Sequence, residues 1–255
     1  MNLKFSIRKI PPLELDKPAT IDINKTILYG PNGVGKSNII KTLFSLTSPD
    51  PLWMLSRYFE NDYKKIDVIP SYLDKAIGVK DGKIEGIHTI FNINASLVED
   101  DIAYVGTHLF SRERIDIREN FEKIIENEAF IWNIQDFLLD IEVPPSNIEK
   151  QKFSHGIKRA LLILYALENS DAVFIEGFEN GMHIDLIRKL FEYIDDIYGG
   201  KIIVVETHNI LLLKLGVLKG WSVYYISRNL IKKLSEIEDL RDTTLFNKEI
   251  EAITI

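Results

Sequence analysis

The segment from Ile27 to Leu43, ILYGPNGVGKSNIIKTL, constrains the fold more than any other part of the sequence. It fits the pattern G-x-x-x-x-G-K-[ST], with a strand-like apolar run before the glycines and a helical apolar period from Ser37 to about Leu46. In that context small residues let backbone N–H groups wrap a phosphate at a helix N-terminus. The residues predicted to hold a nucleotide here are Gly30, Pro31, Asn32, Gly33, Val34, Gly35, Lys36, Ser37 and Asn38.

The pattern also assigns chemistry to individual side chains. Lys36 is expected to reach the β and γ phosphates of ATP, and the Ser37 hydroxyl to bind Mg²⁺. Such a loop needs a carboxylate at the end of a neighbouring strand, and the apolar run 173–175 is followed by Glu176. Ser37 and Glu176 are therefore the predicted metal ligands. A plain glycine turn and a structural strand-end acid are the alternatives.

Composition limits the classes of protein that this chain can be. With 255 residues and 45% hydrophobic content, it can bury one full core. It shows no basic and apolar leader and no apolar run long enough for a bilayer, so we expect a cytoplasmic protein without a membrane partner. It has no cysteine for disulfides or thiolate metal sites. The net charge of −7 argues against holding nucleic acid by the overall field, but leaves a local basic face open.

Periodicity predicts an α/β fold. The C-terminal half alternates apolar strands with amphipathic helices, which indicates a parallel sheet covered on both faces. The middle of the chain is less regular, with short helical pieces at 52–66 and 116–140, a hairpin around Lys80–Lys83 and a strand near 101–106. Outside it, the predicted strands are 3–9, 21–29, 172–176, 201–206 and 222–226, and the predicted helices are 37–46, 154–168, 183–197 and 209–215.

Two further strings carry chemistry. In FSHGIKRALLILYAL, Ser154 is predicted to cap a helix, and Gly156 leaves room for a close approach. In KIIVVETHN, an apolar strand ends in Glu206, Thr207 and His208. This strand end is expected to lie at the sheet edge where the glycine loop and Glu176 also converge, although a surface histidine is an equal alternative.

Taken in order, these motifs resemble the ABC-type ATPase head of the SMC, RecF and OLD-like group of AAA ATPases. The resemblance covers residues 1–46 and 153–227. FSHGIK is similar to the signature L-S-G-G-E-K, FIEGFENGMH resembles I-D-E-x-E-N-G-L-H, and ETHN matches the switch-histidine motif. The matching residues are Ser154, Gly156, Lys158, Glu179, Asn180, Gly181, His183, Thr207 and His208.

The resemblance implies an architecture. It implies a P-loop NTPase with an ABC-ATPase-like mixed sheet, an N-terminal antiparallel β-layer and an inserted helical lobe at about 47–150, all within one domain spanning 1–255. Coiled-coil arms and a nuclease domain are not expected. The β-layer would lie near the nucleotide, where Arg8 or Lys9 contributes unless these are solvated strand charges.

The resemblance also implies a mechanism in which two heads close over two ATP molecules. Ser154 and Gly156 of one head would act in trans on the γ-phosphate held by the other, and His208 would sense that phosphate. The partner would be a second copy or a related ATPase subunit, and the 47–150 lobe could contact another protein.

Two departures from the family pattern bear on hydrolysis. Glu176 stands where the family has aspartate, and Gly177 stands where it has the glutamate that orients the attacking water. Positioning a water and taking its proton contributes about 10²- to 10⁴-fold to rate, so slow turnover is expected unless Glu179 or Glu206 substitutes. The segment from Gly106 to Arg114 also lacks the glutamine that links the metal to the lobe.

Four functions remain open from the sequence. An ATP-dependent dimerisation switch with slow hydrolysis is the main prediction. A nucleotide-sensing module that never hydrolyses is the first alternative, and a DNA-repair or DNA-end-binding ATPase is the second. A membrane-transporter ATPase subunit is the third, although the ENGMH string and the signature variant look unlike transporter heads. A structural or solvated role for Glu179 and Glu206 is also open.

Overall fold

The computed structural model describes residues 3–48, 50–70, 77–85, 93–105, 113–145, 148 and 152–240. The strands are β1 Lys4–Ile10, β2 Leu13–Asp22, β3 Lys25–Tyr29, β4 Asp67–Pro70, β5 Gly78–Lys80, β6 Lys83–Glu85, β7 Ala95–Glu99, β8 Ile102–Val105, β9 Glu113–Asp116, β10 Ala172–Ile175, β11 Ile202–Thr207, β12 Ser222–Ser227 and β13 Leu230–Leu234. The helices are α1 Lys36–Leu46, α2 Pro51–Phe59, α3 Glu122–Ile125, α4 Glu128–Asn133, α5 Gln135–Asp140, α6 His155–Glu168, α7 Ile184–Ile197 and α8 Ile210–Leu218, with short 3₁₀ helices at Glu60–Lys65 and Ile237–Leu240.

The main sheet is mixed, as predicted, and its strand order within the described residues is β13-β12-β3-β11-β10-β7-β8-β9. Strands β12, β3, β11, β10 and β7 are parallel, and antiparallel strands close both edges. Side chains of β3 alternate between two cores: Ile27 and Tyr29 pack with α6, α7 and α8, whereas Leu28 packs with α1. Burial on both faces explains why these strands read as continuous apolar runs.

The N-terminal antiparallel layer is also confirmed, with strand order β2-β1-β4-β5-β6. The single strand predicted over 21–29 is wrong, because β2 ends at Asp22 and β3 begins at Lys25 in the other sheet. A corner joins them, where the Thr26 hydroxyl donates to the carbonyl of Asp22 at 2.5 Å. Sequence reasoning missed most of β2 because the segment is largely exposed and contains Pro18.

The segment predicted as a helical lobe, about 47–150, contributes to both sheets. Strands β4–β6 extend the N-terminal layer, and β7–β9 extend the main sheet. The Lys80–Lys83 hairpin is confirmed, with positive φ at Asp81 and Gly82. The helical part of this segment follows β9 and, within the described residues, consists of α3, α4 and α5. The division of the chain into one domain with an inserted lobe stays a prediction.

No helix in the described part of the chain combines the length and the apolar character that a membrane span requires.

The end of α7 is tied to the start of β3 by one largely buried carboxylate, that of Asp195. Asp195 accepts hydrogen bonds from Lys25 Nζ at 2.6 Å and from Trp221 Nε1 at 2.9 Å, and Lys219 Nζ lies 3.5 Å away. Burial opposes ionisation of Asp195, but the bonds from Lys25 and Trp221 outweigh it and hold the pKa of the carboxyl below its ordinary value of 3.8.

We expect Asp195→Asn to lower the free energy of unfolding by about 1.5–3 kcal/mol at pH 7, since it weakens charge-assisted bonds in a nearly buried position. Because the folded pKa lies below 3.8, the carboxylate's contribution is complete above that value and is lost as the pH falls through the folded pKa. Urea unfolding at neutral and acid pH measures this. Asp196→Asn, whose exposed carboxylate contacts Lys219 at 3.4 Å, is the control and should change little. Equal effects of the two variants would contradict the assignment.

Candidate nucleotide-binding site

The glycine loop joins β3 to α1, as the motif predicts. Gly30 has φ 154°, and a Cβ there would lie 2.1 Å from the carbonyl oxygen of Ile226, so the loop packs directly on the backbone of β12. Lys36 is 2% exposed, and its amino group donates to the carbonyls of Gly30 at 3.0 Å and Pro31 at 2.7 Å. The positive charge of Lys36 therefore lies inside the loop that is expected to bind the phosphates.

Glu206 is the carboxylate in contact with this loop. The Ser37 hydroxyl donates to Glu206 Oε2 at 2.7 Å, and Lys36 Nζ lies 3.6 Å from Oε1. His208 Nε2 is 3.8 Å from the same oxygen. Burial raises the pKa of Glu206, while Ser37 and Lys36 oppose that rise. Burial lowers the pKa of Lys36, and Glu206 opposes that change in turn.

The structure brings His208 to the same place. Its Nδ1 lies 2.9 Å from the Gly30 carbonyl oxygen and 3.5 Å from Lys36 Nζ. A cavity of about 300 Å³ opens between the loop, this histidine and the turn after β1. Its lining consists of Pro12, Asn32, Gly33, Gly35, Lys36, Ser37, Asn38, Glu206 and His208.

Glu179 has a different environment from Glu206. Its carboxylate accepts from the Thr207 hydroxyl at 2.8 Å and from the His208 backbone N–H at 2.6 Å. It therefore ties the end of β11 to the loop after β10, and it does not line the cavity. Of the two acids named as substitutes for the missing glutamate, the geometry brings Glu206 to the phosphate loop.

Glu176 directly follows β10, and its carboxylate contacts Lys41, a second cation of α1. Its Oε2 lies 3.4 Å from Lys41 Nζ, which also contacts Glu99 Oε1 at 3.0 Å. Burial raises the pKa of Glu99, and Lys41 opposes that rise. Lys41 follows Ser37 by four residues, so both side chains lie on the face of α1 that meets the sheet edge.

The sheet register explains how these acids come together. Val98 pairs with Ile175 and Ile175 pairs with Val205, which places Glu99, Glu176 and Glu206 at one level of three neighbouring parallel strands. Sequence reasoning missed Glu99. The available sequence signal was an acid directly after the apolar run ASLV. The sequence does not reveal that β7 pairs with β10, and only this pairing brings Glu99 beside Glu176.

Arg159 was also missed. It is fully buried, and its Nη2 donates to the carbonyls of Glu176 and Gly177 at 2.7 Å each. Burial lowers the pKa of this guanidinium, and nearby acids oppose the change. The available sequence signal was a single arginine at the start of the apolar run RALLILYAL. The Arg159 side chain fastens α6, the helix that begins after Ser154, to the end of β10.

Gly177 lies in a left-handed turn. It has φ 56°, and a Cβ there would lie 2.3 Å from the side-chain nitrogen Nδ2 of Asn180. The position that carries glutamate in the resembling family is therefore a tight left-handed turn in this chain, and a side chain would be strained there.

The remaining predicted residues are placed as follows. The Ser154 side chain caps α6 by accepting from the N–H of Ile157 at 3.3 Å, which confirms the predicted cap. The Asn38 amide donates to the carbonyl of Pro11. Lys9 pairs with Glu14 at 2.8 Å, and Arg8 is exposed. Of the segment Gly106–Arg114, residues 106–112 lie outside the described residues.

Comparison with known proteins supports the class that this geometry suggests. Residues 142–214 match the family model described as "AAA domain, putative AbiEii toxin, Type IV TA system". The chain also resembles a solved ATP-binding subunit of an ABC transporter, with TM-score 0.54 and 15% identity over 98% of this chain and 99% of that one. A bacterial Atm1-family ABC exporter with ATP bound gives TM-score 0.54 and 13% identity over 100% of this chain and 42% of that one. No curated protein matched.

The fold is therefore that of an ABC-type ATPase P-loop domain. Together, the family match and the structural neighbours support an ATP-binding ATPase of the ABC/AAA type. The closer grouping with SMC, RecF and OLD-like proteins stays a prediction.

Two glycines of the loop allow a matched test of this geometry. Gly33→Ala meets no atom within 4 Å at φ 73°, so only the left-handed backbone is strained, at about 1–2 kcal/mol. Gly30→Ala also meets the Ile226 carbonyl, and we expect a further loss of about 1–3 kcal/mol from overpacking against backbone. Thermal unfolding of both variants measures the difference. Equal melting temperatures would show that the loop does not pack on β12 as described.

Proposed function

We propose that the chain is a P-loop ATPase in which ATP binding closes a dimer and hydrolysis is slow. The observation that carries the proposal is the meeting of Ser37, Lys36 and His208 around the buried carboxylate of Glu206, beside a loop of phosphate-binding sequence. ATP would lie along this loop, with its phosphates on the backbone N–H groups and Lys36.

The residues present fit a magnesium ion. Mg²⁺ prefers oxygen ligands and keeps several waters, and the Ser37 hydroxyl and the nearby carboxylates supply such ligands. We propose that Ser37 and Glu176 hold the ion, Glu176 through water. Bound there, the ion would neutralise charge that develops on the transferred phosphoryl group.

We assign the positioning of the attacking water to Glu206. A buried carboxylate with a raised pKa is suited to accept a proton, and this one lines the cavity beside the phosphate loop. Water would attack the γ-phosphorus, the bond to the ADP oxygen would break, and the proton would pass to Glu206. We also assign the sensing of the γ-phosphate to His208, and its contacts with Lys36 and the loop carbonyl support this role.

We expect Glu206→Gln to lower kcat for ATP hydrolysis about 10²- to 10⁴-fold while ATP affinity changes little, because the amide cannot take the proton. Phosphate release and ATP titration measure the two quantities. Glu179→Gln, which should weaken the tie to Thr207 and His208, is the matched control and should cost less in kcat.

Three outcomes would revise this assignment. Full activity of Glu206→Gln would remove its catalytic role. A higher Mg²⁺ requirement with unchanged maximal rate would make Glu206 a metal ligand instead. Lys36→Ala should lose ATP binding itself, and retention of affinity would refute the nucleotide site.

The proposed dimer rests on the exposed N-terminus of α6. Ser154 is exposed there, and Gly156 packs so closely that a Cβ would lie 2.6 Å from the carbonyl oxygen of Gly181. A 14-residue helix presents N–H groups and a partial positive charge at this end. We propose that this end contacts the γ-phosphate bound by a second copy or by a related subunit.

Light scattering with and without ATP and Mg²⁺ tests the dimer. Wild-type protein should double its mass on addition of ATP and Mg²⁺, and Ser154→Arg should stay monomeric because the longer side chain blocks the approach of the phosphate. If Ser154→Arg dimerises normally, the proposal that Ser154 acts in trans is wrong.

A nucleotide sensor without hydrolysis is the second candidate, and the turn at Gly177 favours it. Gly177 has no side chain that could hold a water, and its left-handed backbone disfavours one there. Steady-state phosphate release by the wild-type protein separates the candidates. Release above background that Glu206→Gln abolishes supports the slow ATPase, and no release supports the sensor.

A further inference from the structure

The negative charge of the chain is concentrated in one small region. Residues 117–145, named here the acidic lobe, carry seven acidic and two basic side chains, a net charge of −5 out of −7 for the whole chain. The lobe contains α3, α4 and α5. A local field of one sign steers partners of the opposite sign.

Most of these acids have no cation beside them. Within the described residues, Glu119 pairs with Arg114 and Asp140 with Lys189, but no ion pair involves the other five acids of the lobe. Those five are Glu122, Glu126, Glu128, Asp136 and Glu142, and all are exposed. Their negative charge therefore faces solvent and is not neutralised by an ion pair within the described residues.

The lobe also exposes two large apolar side chains. Its inner face is anchored, because Phe130 packs edge-to-face against Tyr165 of α6 with ring centroids 5.2 Å apart. On the outside, Trp132 is 71% exposed and Leu139 is 60% exposed. Exposed aromatic side chains beside a groove are typical of interaction sites, where Trp is over-represented among the residues that dominate affinity.

A groove runs beside Trp132. It has a volume of about 390 Å³, and Ile125, Ile131, Pro145 and Ile148 contribute its apolar lining. Glu128 and Gln135 supply the polar part of the lining. The site therefore combines an apolar groove with an acidic border, which is the complement of a helix that has one apolar stripe flanked by lysine or arginine.

From this combination we infer that the acidic lobe binds a basic amphipathic helix of another protein, with Trp132 as its aromatic anchor. The charge argues against the other occupants. A second copy would bring two lobes of net charge −5 together, and nucleic acid or an anionic membrane would meet like charge. The inference goes beyond the proposed ATPase and does not depend on it.

A synthetic helical peptide of leucine and lysine, labelled with fluorescein, is the probe. Anisotropy titration without nucleotide should show binding to the wild-type protein that weakens as salt rises. Trp132→Ala should weaken it roughly tenfold or more, as expected for an aromatic anchor. Glu128→Lys should also weaken it. Trp53→Ala, which removes another half-exposed tryptophan on α2, is the matched control and should bind normally.

Two further peptides make the test decisive. A lysine and serine peptide lacks the apolar stripe, and a leucine and glutamate peptide reverses the charge, so both should bind at least tenfold more weakly. Equal binding of either peptide, or undiminished binding to Trp132→Ala, would overturn the inference. A change in the mass of the nucleotide-free protein on Trp132→Ala would instead identify a second copy as the occupant and would also overturn it.

Discussion

The register of three neighbouring strands is the constraint on which the site depends. Because β7, β10 and β11 are parallel and aligned, Glu99, Glu176 and Glu206 end at one level of the sheet. Helix α1 faces this row with Lys36, Ser37 and Lys41. A shift of one residue in any of these strands would turn its glutamate to the opposite face of the sheet. The acids are tolerated together because each is hydrogen-bonded or paired with a cation from α1.

The two cations of α1 divide this row between them. Lys36 and Ser37 engage Glu206 beside the phosphate loop, while Lys41 engages Glu99 and Glu176. These contacts give a physical basis for Glu176 and Gly177, the two positions at which the chain departs from the family that it resembles. The left-handed turn at Gly177 disfavours a side chain, and the carboxylate in contact with the loop comes from the next strand instead. We therefore place the proposed catalytic group on β11 rather than after β10.

Helix α6 connects the parts of the molecule that the proposals concern. Arg159 fastens the helix to the backbone of Glu176 and Gly177, and Gly156 packs against the loop that follows. On its other side, α6 carries the acidic lobe through the contact of Tyr165 with Phe130. Helix α6 thus joins the acidic lobe, where we infer a partner, to the N-terminus that we propose meets ATP.

The sequence by itself determined the local features: the glycine loop between strand and helix, the Ser154 cap, the Lys80–Lys83 hairpin and the alternation of strands and helices. Each depends on residues within one or two turns of one another, so pattern and propensity suffice. Only the tertiary structure decided that Glu206 rather than Glu179 lies at the loop, that Glu99 and Lys41 join Glu176, and that β4–β6 extend the N-terminal layer while β7–β9 extend the main sheet. These contacts join residues far apart in the chain, and they are set by strand register and by packing that no local pattern specifies.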